Sequence, residues 1–248
     1  MRKTISFFLL LSTFIASFQV AKSQDSTKVK LNIGADLMSQ YVWRGTDYGA
    51  SPSIQPYLSV SCKNFEFGYW GAIATNSLYK EIDLYAKYTI GKISILATDY
   101  YIPTTVPSTI TDNRYFFFDN AKTVHTFEGS LIFKGDEKFP LWISANAFFY
   151  GNDKRWGFDA NKDASDKTYF SSYFEAGYSI PFNENSCDVF VGFTPKAGAY
   201  GNDIGIVNVG VTGFRKIKIS DDLELPIKAS VVANPQASLI YFMFGITL

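Results

Sequence analysis

The 248-residue chain carries 23 acidic and 23 basic side chains and one histidine, so its formal charge near neutral pH is zero. No basic cluster breaks that balance, which excludes electrostatic nucleic-acid binding, and one histidine excludes a multi-histidine metal centre. Hydrophobic residues make up 47% of the chain, yet beyond residue 24 no apolar run approaches the ~20 residues that a helix needs to cross hydrocarbon.

At the N-terminus, Met1-Arg2-Lys3 precedes an apolar stretch from Ile5 to Val20 and then Ala21-Lys22-Ser23, where small residues flank a cut. This is the layout of a secretory signal peptide, so residues 1–23 are expected to be removed and residues 24–248 to form a single domain. No cysteine follows the apolar stretch to carry a lipid anchor.

From Leu31 the sequence alternates. Leu31, Ile33, Ala35, Leu37, Ser39, Tyr41 and Trp43 oppose Asn32, Gly34, Asp36, Met38, Gln40, Val42 and Arg44, the period of a strand with one apolar and one largely polar face. Tyr41 and Trp43 close the apolar side just before a long connection, Arg44 to Pro52. They are expected at a membrane interface, together with Tyr101, Phe149 and Phe170 at the same end of later strands.

The period of two recurs from Ile54 to Val60, Phe65 to Ile73, Ile82 to Tyr88 and Ile93 to Ala97. It continues from Phe127 to Phe133, Leu141 to Phe149, Phe170 to Tyr178, Val189 to Phe193, Val207 to Val211, Leu225 to Val231 and Ile240 to Leu248, giving about twelve segments. Short connections such as Lys63-Asn64 and Gly91 alternate with long ones such as Pro103 to Lys122, Gly151 to Lys167 and Pro195 to Gly205. If every strand reverses, the long loops gather at one end. Export, an even strand count and this asymmetry predict an all-β fold, a transmembrane antiparallel up-and-down barrel of about twelve strands in the cell outer membrane.

Strand parity directs Asp36, Glu66, Glu81, Asp83, Glu128, Glu175, Asp188 and Glu224 inward, against Arg44, Lys87, Lys92 and Lys228. A water-containing lumen accepts such residues where a dry core would not. The excess of acid predicts a weak preference for cations, with Lys87 and Lys228 placed to pair with Glu128 or Asp36. Tyr115-Phe116-Phe117-Phe118 in the longest loop is expected to fold over the barrel mouth or inward as a constriction.

Tyr41-Val42-Trp43-Arg44-Gly45, followed by Pro52-Ser53-Ile54-Gln55-Pro56 and Gly68-Tyr69-Trp70-Gly71, resembles the opening hairpins of the TorF-like porins of Gram-negative outer membranes. Glu81-Ile82-Asp83-Leu84-Tyr85 is similar to that family's acidic, alternating strand. The resemblance covers residues 31–100 and implies passive passage of small solutes. One departure is the ending Gly245-Ile246-Thr247-Leu248, where bacterial barrels commonly carry a terminal aromatic recognised during assembly. The expected partners are outer-membrane lipid, the barrel-assembly machinery and small solutes; the sequence does not set an oligomeric state.

Catalysis finds little support. His125 and Ser130 stand an odd number of positions apart, hence on opposite faces of a strand, unlike the paired residues of barrel phospholipases. Glu81 and Asp83 share a face, while Asp221-Asp222 reads as turn chemistry. Asp159-Ala160-Asn161-Lys162-Asp163 lacks the glycine and terminal glutamate of a calcium hand. Cys62 and Cys187 read as small apolar side chains rather than a disulfide. No enzyme activity and no cofactor are expected. Two other readings stay open: a barrel with a filled lumen, structural or adhesive, and a secreted soluble β-protein.

Overall fold

A computed structural model describes residues 28–105, 111–154, 167–221 and 223–248. The leader at 1–23, the acidic loop at 159–163 and Asp222 lie outside those residues. The strands are β1 (Lys30–Met38), β2 (Val42–Trp43), β3 (Thr46–Asp47), β4 (Ser53–Cys62), β5 (Phe65–Ala74), β6 (Lys80–Ile90) and β7 (Ile93–Tyr101). They continue as β8 (His125–Asp136), β9 (Phe139–Gly151), β10 (Ser172–Phe182), β11 (Asn185–Thr194), β12 (Gly205–Ser220), β13 (Leu223–Asn234) and β14 (Leu239–Thr247).

Twelve of them form a closed antiparallel barrel, each paired to its neighbour in the chain, with β1 joined to β14; β2 and β3 pair only with each other. Closure leaves no open sheet edge around most of the wall, so backbone donors and acceptors satisfy one another between strands. The seam is the shortest pairing: Asp36, Leu37 and Met38 face Thr247, Ile246 and Gly245, extended by backbone bonds between Ala35 and Leu248.

Register fixes the two faces. Along β6 the outward Ile82 and Leu84 alternate with buried Glu81 and Asp83, and the same inversion holds around the wall. The outside is apolar and exposed, as at Ile33 (72%), Phe67 (58%) and Phe242 (67%). The inside buries Ser53, Gln55, Ser59, Thr98, Ser130 and Asn146. A water-soluble fold would reverse these faces. Among the described residues no helix is long and apolar enough to cross a membrane. Both cysteines are free thiols.

A β-bulge on β8 alters where side chains point. Between Phe127 and Glu128 on β8 the register to β9 slips, so Phe148 faces inward while Tyr150, two residues later, pairs with the outward Phe127. Gly151 follows at a φ of 97°, and a Cβ there would stand 2.0 Å from the His125 carbonyl oxygen. Only glycine fits that approach.

Candidate functional site

The first barrel strand ends sooner than the alternation suggests. At Ser39 the chain leaves the wall: its N–H donates to Phe244 O at 2.8 Å and its hydroxyl accepts from Phe244 N at 3.0 Å. Residues 42–47 then fold back as the β2–β3 hairpin inside the barrel. Its turn is Arg44-Gly45, with φ of 50° and 80°, the positive values at both central positions that a type I′ turn requires. A Cβ on Gly45 would meet Val207 O of β12 at 1.9 Å, so the tip lies against the inner face of β12. The Gly45 carbonyl accepts from Asn234 Nδ2 of β13 at 3.0 Å.

Arg44 is the hairpin's anchor. Its guanidinium donates to both Glu128 oxygens, at 2.5 Å to Oε2 and 3.0 Å to Oε1, and to the Tyr200 hydroxyl at 2.7 Å. Glu128, 1% exposed, also accepts from Tyr200 at 2.7 Å, Tyr100 at 3.0 Å and Ser130 at 3.1 Å. The guanidinium carbon lies 4.3 Å from the Trp43 ring centroid, 4.7 Å from Tyr173 and 5.1 Å from Tyr200. A planar ion with a bidentate acceptor and aromatic faces is arginine's preferred buried setting, one that lysine could not reproduce.

Two expected interface aromatics are therefore misplaced by the sequence reading. Tyr41 is buried against Tyr48, Trp70 and Tyr79, and Trp43 packs on Tyr100 and Tyr200. The physical reason is the departure at Ser39: once the strand pairs with itself rather than with the wall, its parity no longer refers to lipid. Phe149 and Phe170 are exposed at the long-loop end. Tyr101 is partly covered by Tyr115, with ring centroids 5.0 Å apart, and its hydroxyl donates to Asn113 O at 2.6 Å.

The longest loop also differs from expectation. Tyr115 and Phe118 pack on His125, and Phe118 on Phe127, both residues facing out from β8. The aromatic part of this loop thus lies on the outside of the wall, while Pro103, Thr104 and Thr105 border the cavity at the long-loop end; the obstruction within the barrel is the β2–β3 hairpin. Beneath the loop, His125 is fully buried, its Nδ1 2.8 Å from Asp99 Oδ1 and its Nε2 2.7 Å from Tyr115 O. A carbonyl oxygen only accepts, so Nε2 carries a proton there.

Three of the inward bases are neutralised by acids. Lys228 Nζ lies 2.6 Å from Asp36 Oδ2, and Asp36 also accepts from Thr247. Lys87 pairs with Glu66 at 2.9 Å rather than with Glu128, which is held by Arg44. Lys92 and Glu224 are exposed and make pairs of their own, Lys92 with Asp136 at 2.5 Å and Glu224 with Lys216 at 3.3 Å. Among the described residues Glu81, Asp83, Glu175 and Asp188 have no ion-pair partner; Glu81 accepts from Tyr79, and Glu175 from Tyr173 and Asn208. No cluster of described residues could hold a metal ion.

The hairpin separates cavities. Toward the long loops lies one of about 540 Å³ with Trp43, Tyr48, Tyr79, Tyr100 and Tyr200 in its walls. Toward the tight turns lie two smaller ones, of about 370 Å³ beside Asp83 and about 280 Å³ beside Arg44 and Lys228. Sequence parity identified the charged lining; the signal that would have revealed the hairpin is Arg44-Gly45 as a two-residue turn between Val42-Trp43 and Thr46-Asp47.

No family model and no curated protein matches the chain. Among solved structures it is similar to an outer membrane channel from Pseudomonas putida F1, with 11% identity and a TM-score of 0.43 over 92% of this chain and 98% of that one. A mutant of the Rh. blastica porin matches with 12% identity and a TM-score of 0.35 over 89% and 99%. At such identities and scores neither transfers a residue or a role to this chain.

Proposed function

We propose that the chain is an outer-membrane barrel that admits small solutes through a lumen narrowed by its own first hairpin. The observation that carries this reading is the inverted polarity: an apolar exposed outer wall around a polar, charged and cavity-containing interior. Lipid on the outside and water within satisfy both faces. The bands of Phe149 and Phe170 then mark the outer interface, with Tyr101 behind its loop.

The unpaired inward acids favour cations. Three bases are spent on Glu66, Glu128 and Asp36, so the remaining field along the lumen is negative. Reversal potentials in a salt gradient across a planar bilayer test the reading, with cation preference as the expected sign.

A second reading, a structural barrel with a filled lumen, is favoured by the packing of Trp43, Phe148, Tyr173 and Tyr200 into one buried cluster across the interior. Purified protein that inserts in bilayers but passes no current would select it. Passive passage is also what the TorF-like motifs imply, and in this chain the quoted Tyr41-Val42-Trp43-Arg44-Gly45 forms the narrowing element.

A further inference from the structure

We propose that the cavity beneath the hairpin binds a small organic cation bearing an ammonium group, with Asp83 as its counter-charge. Asp83 is 6% exposed, lines the cavity of about 370 Å³, and its Oδ1 has no hydrogen-bond partner. A carboxylate so placed lacks what normally accompanies burial, a cation or a set of donors.

Its neighbours define the missing partner. In register, Asp83 stands between Trp70 on β5 and Tyr100 on β7, all three facing inward. The hairpin covers them: Tyr41 lies 5.2 Å from the Trp70 ring and Trp43 lies 5.5 Å from the Tyr100 ring. Four aromatic rings around one carboxylate form the environment that attracts an ammonium group through ring quadrupoles and a single opposite charge.

Other occupants fit less well. Calcium takes about 6–8 oxygen ligands, and the cavity adds only the Thr98 hydroxyl and tyrosine hydroxyls to the carboxylate. An anion would face Asp83 directly, and the cavity's only lysine, Lys87, is held by Glu66. The volume lies at the lower end of the ~300–1,000 Å³ range of ligand pockets, which suits an ion of choline's size.

This inference rests on the lumen being reachable, and it names the kind of solute held there. The test is binding of choline to the refolded full barrel in detergent, followed by tryptophan fluorescence at constant ionic strength. Its uncharged isostere 3,3-dimethylbutan-1-ol and sodium chloride serve as comparison probes. Saturable quenching by choline, with at least tenfold weaker binding of the isostere and none by sodium, is the expected result. In Asp83→Asn the choline affinity should fall at least tenfold and approach that of the isostere. Equal binding of choline and the isostere, or no choline binding, overturns the proposal in the unmodified protein, whether or not the variant folds. A folded Asp83→Asn barrel with unchanged affinity also overturns it. Because binding is read without a bilayer, choline binding by a barrel that passes no current would sink the channel reading alone, whereas current without choline binding would sink this one alone.

Discussion

Arg44 and Glu128 show how one ion pair turns a flexible segment into a fixed obstruction. Glu128 is buried and receives donors from four residues, and the Arg44 side chain is only 12% exposed, so either charge alone would be left without adequate solvation. Arg44→Ala is expected to destabilise the folded barrel by about 3–5 kcal/mol, because Glu128 remains buried and unpaired. The pair replacement Arg44→Met with Glu128→Leu should cost less than either single change, as measured by urea unfolding of the refolded barrel. A double variant as unstable as the sum of the singles would mean that the two charges act independently. At the neighbouring position, Gly45→Ala imposes a positive φ on a side chain that also meets Val207 O. That change is expected to cost more than about 1 kcal/mol in the same assay.

Among the elements, β6 offers a direct probe of depth. Leu84 projects outward from its middle and Ile90 from its end beside the Gly91 turn. Leu84→Arg should cost about 2–4 kcal/mol and Ile90→Arg about 0–1 kcal/mol in lipid, the difference between midplane and interface. Equal losses on refolding into vesicles would contradict the placement of β6 in the bilayer. The long loop gives a contrasting expectation. Deleting residues 104–120 removes the cover of His125 on the outer wall but leaves the hairpin in the lumen, so single-channel conductance should stay within twofold of the unmodified value. A several-fold rise would return the constriction to this loop.

These same elements show what the sequence could reveal. The wall strands were legible because side-chain direction has a period of two, and turn residues such as Lys63-Asn64 and Gly91 punctuate it. Inward charges such as Glu81, Asp83 and Glu128 followed from the same parity. The hairpin did not, because Leu31 to Trp43 keeps its alternation through the point at Ser39 where pairing switches from β14 to β3. Local periodicity records the strand's own faces but not which partner it meets. The aromatic run at 115–118 was equally silent about direction: its apolar content demands cover, and both the mouth and the outer wall of β8 could supply it.

At the scale of the molecule, an apolar shell encloses a polar space that is crossed, near the long-loop end, by twelve residues or so of its own chain between Ser39 and Pro52. Lumen charge gives one whole-barrel prediction: replacing Glu175 and Asp188 by Gln and Asn should shift the reversal potential toward anions, since neither has a cation partner to release. An unchanged potential would mean that these two do not face the ion path. The most direct measurement is the single-channel conductance of a barrel in which residues 41–48 are replaced by a short Gly-Ser connection, compared with the unmodified protein. With the hairpin gone, the cavities on its two sides should merge and conductance should rise at least several-fold in a barrel that still refolds. Unaltered conductance in that folded variant would contradict the assignment of the hairpin as the element that narrows the lumen.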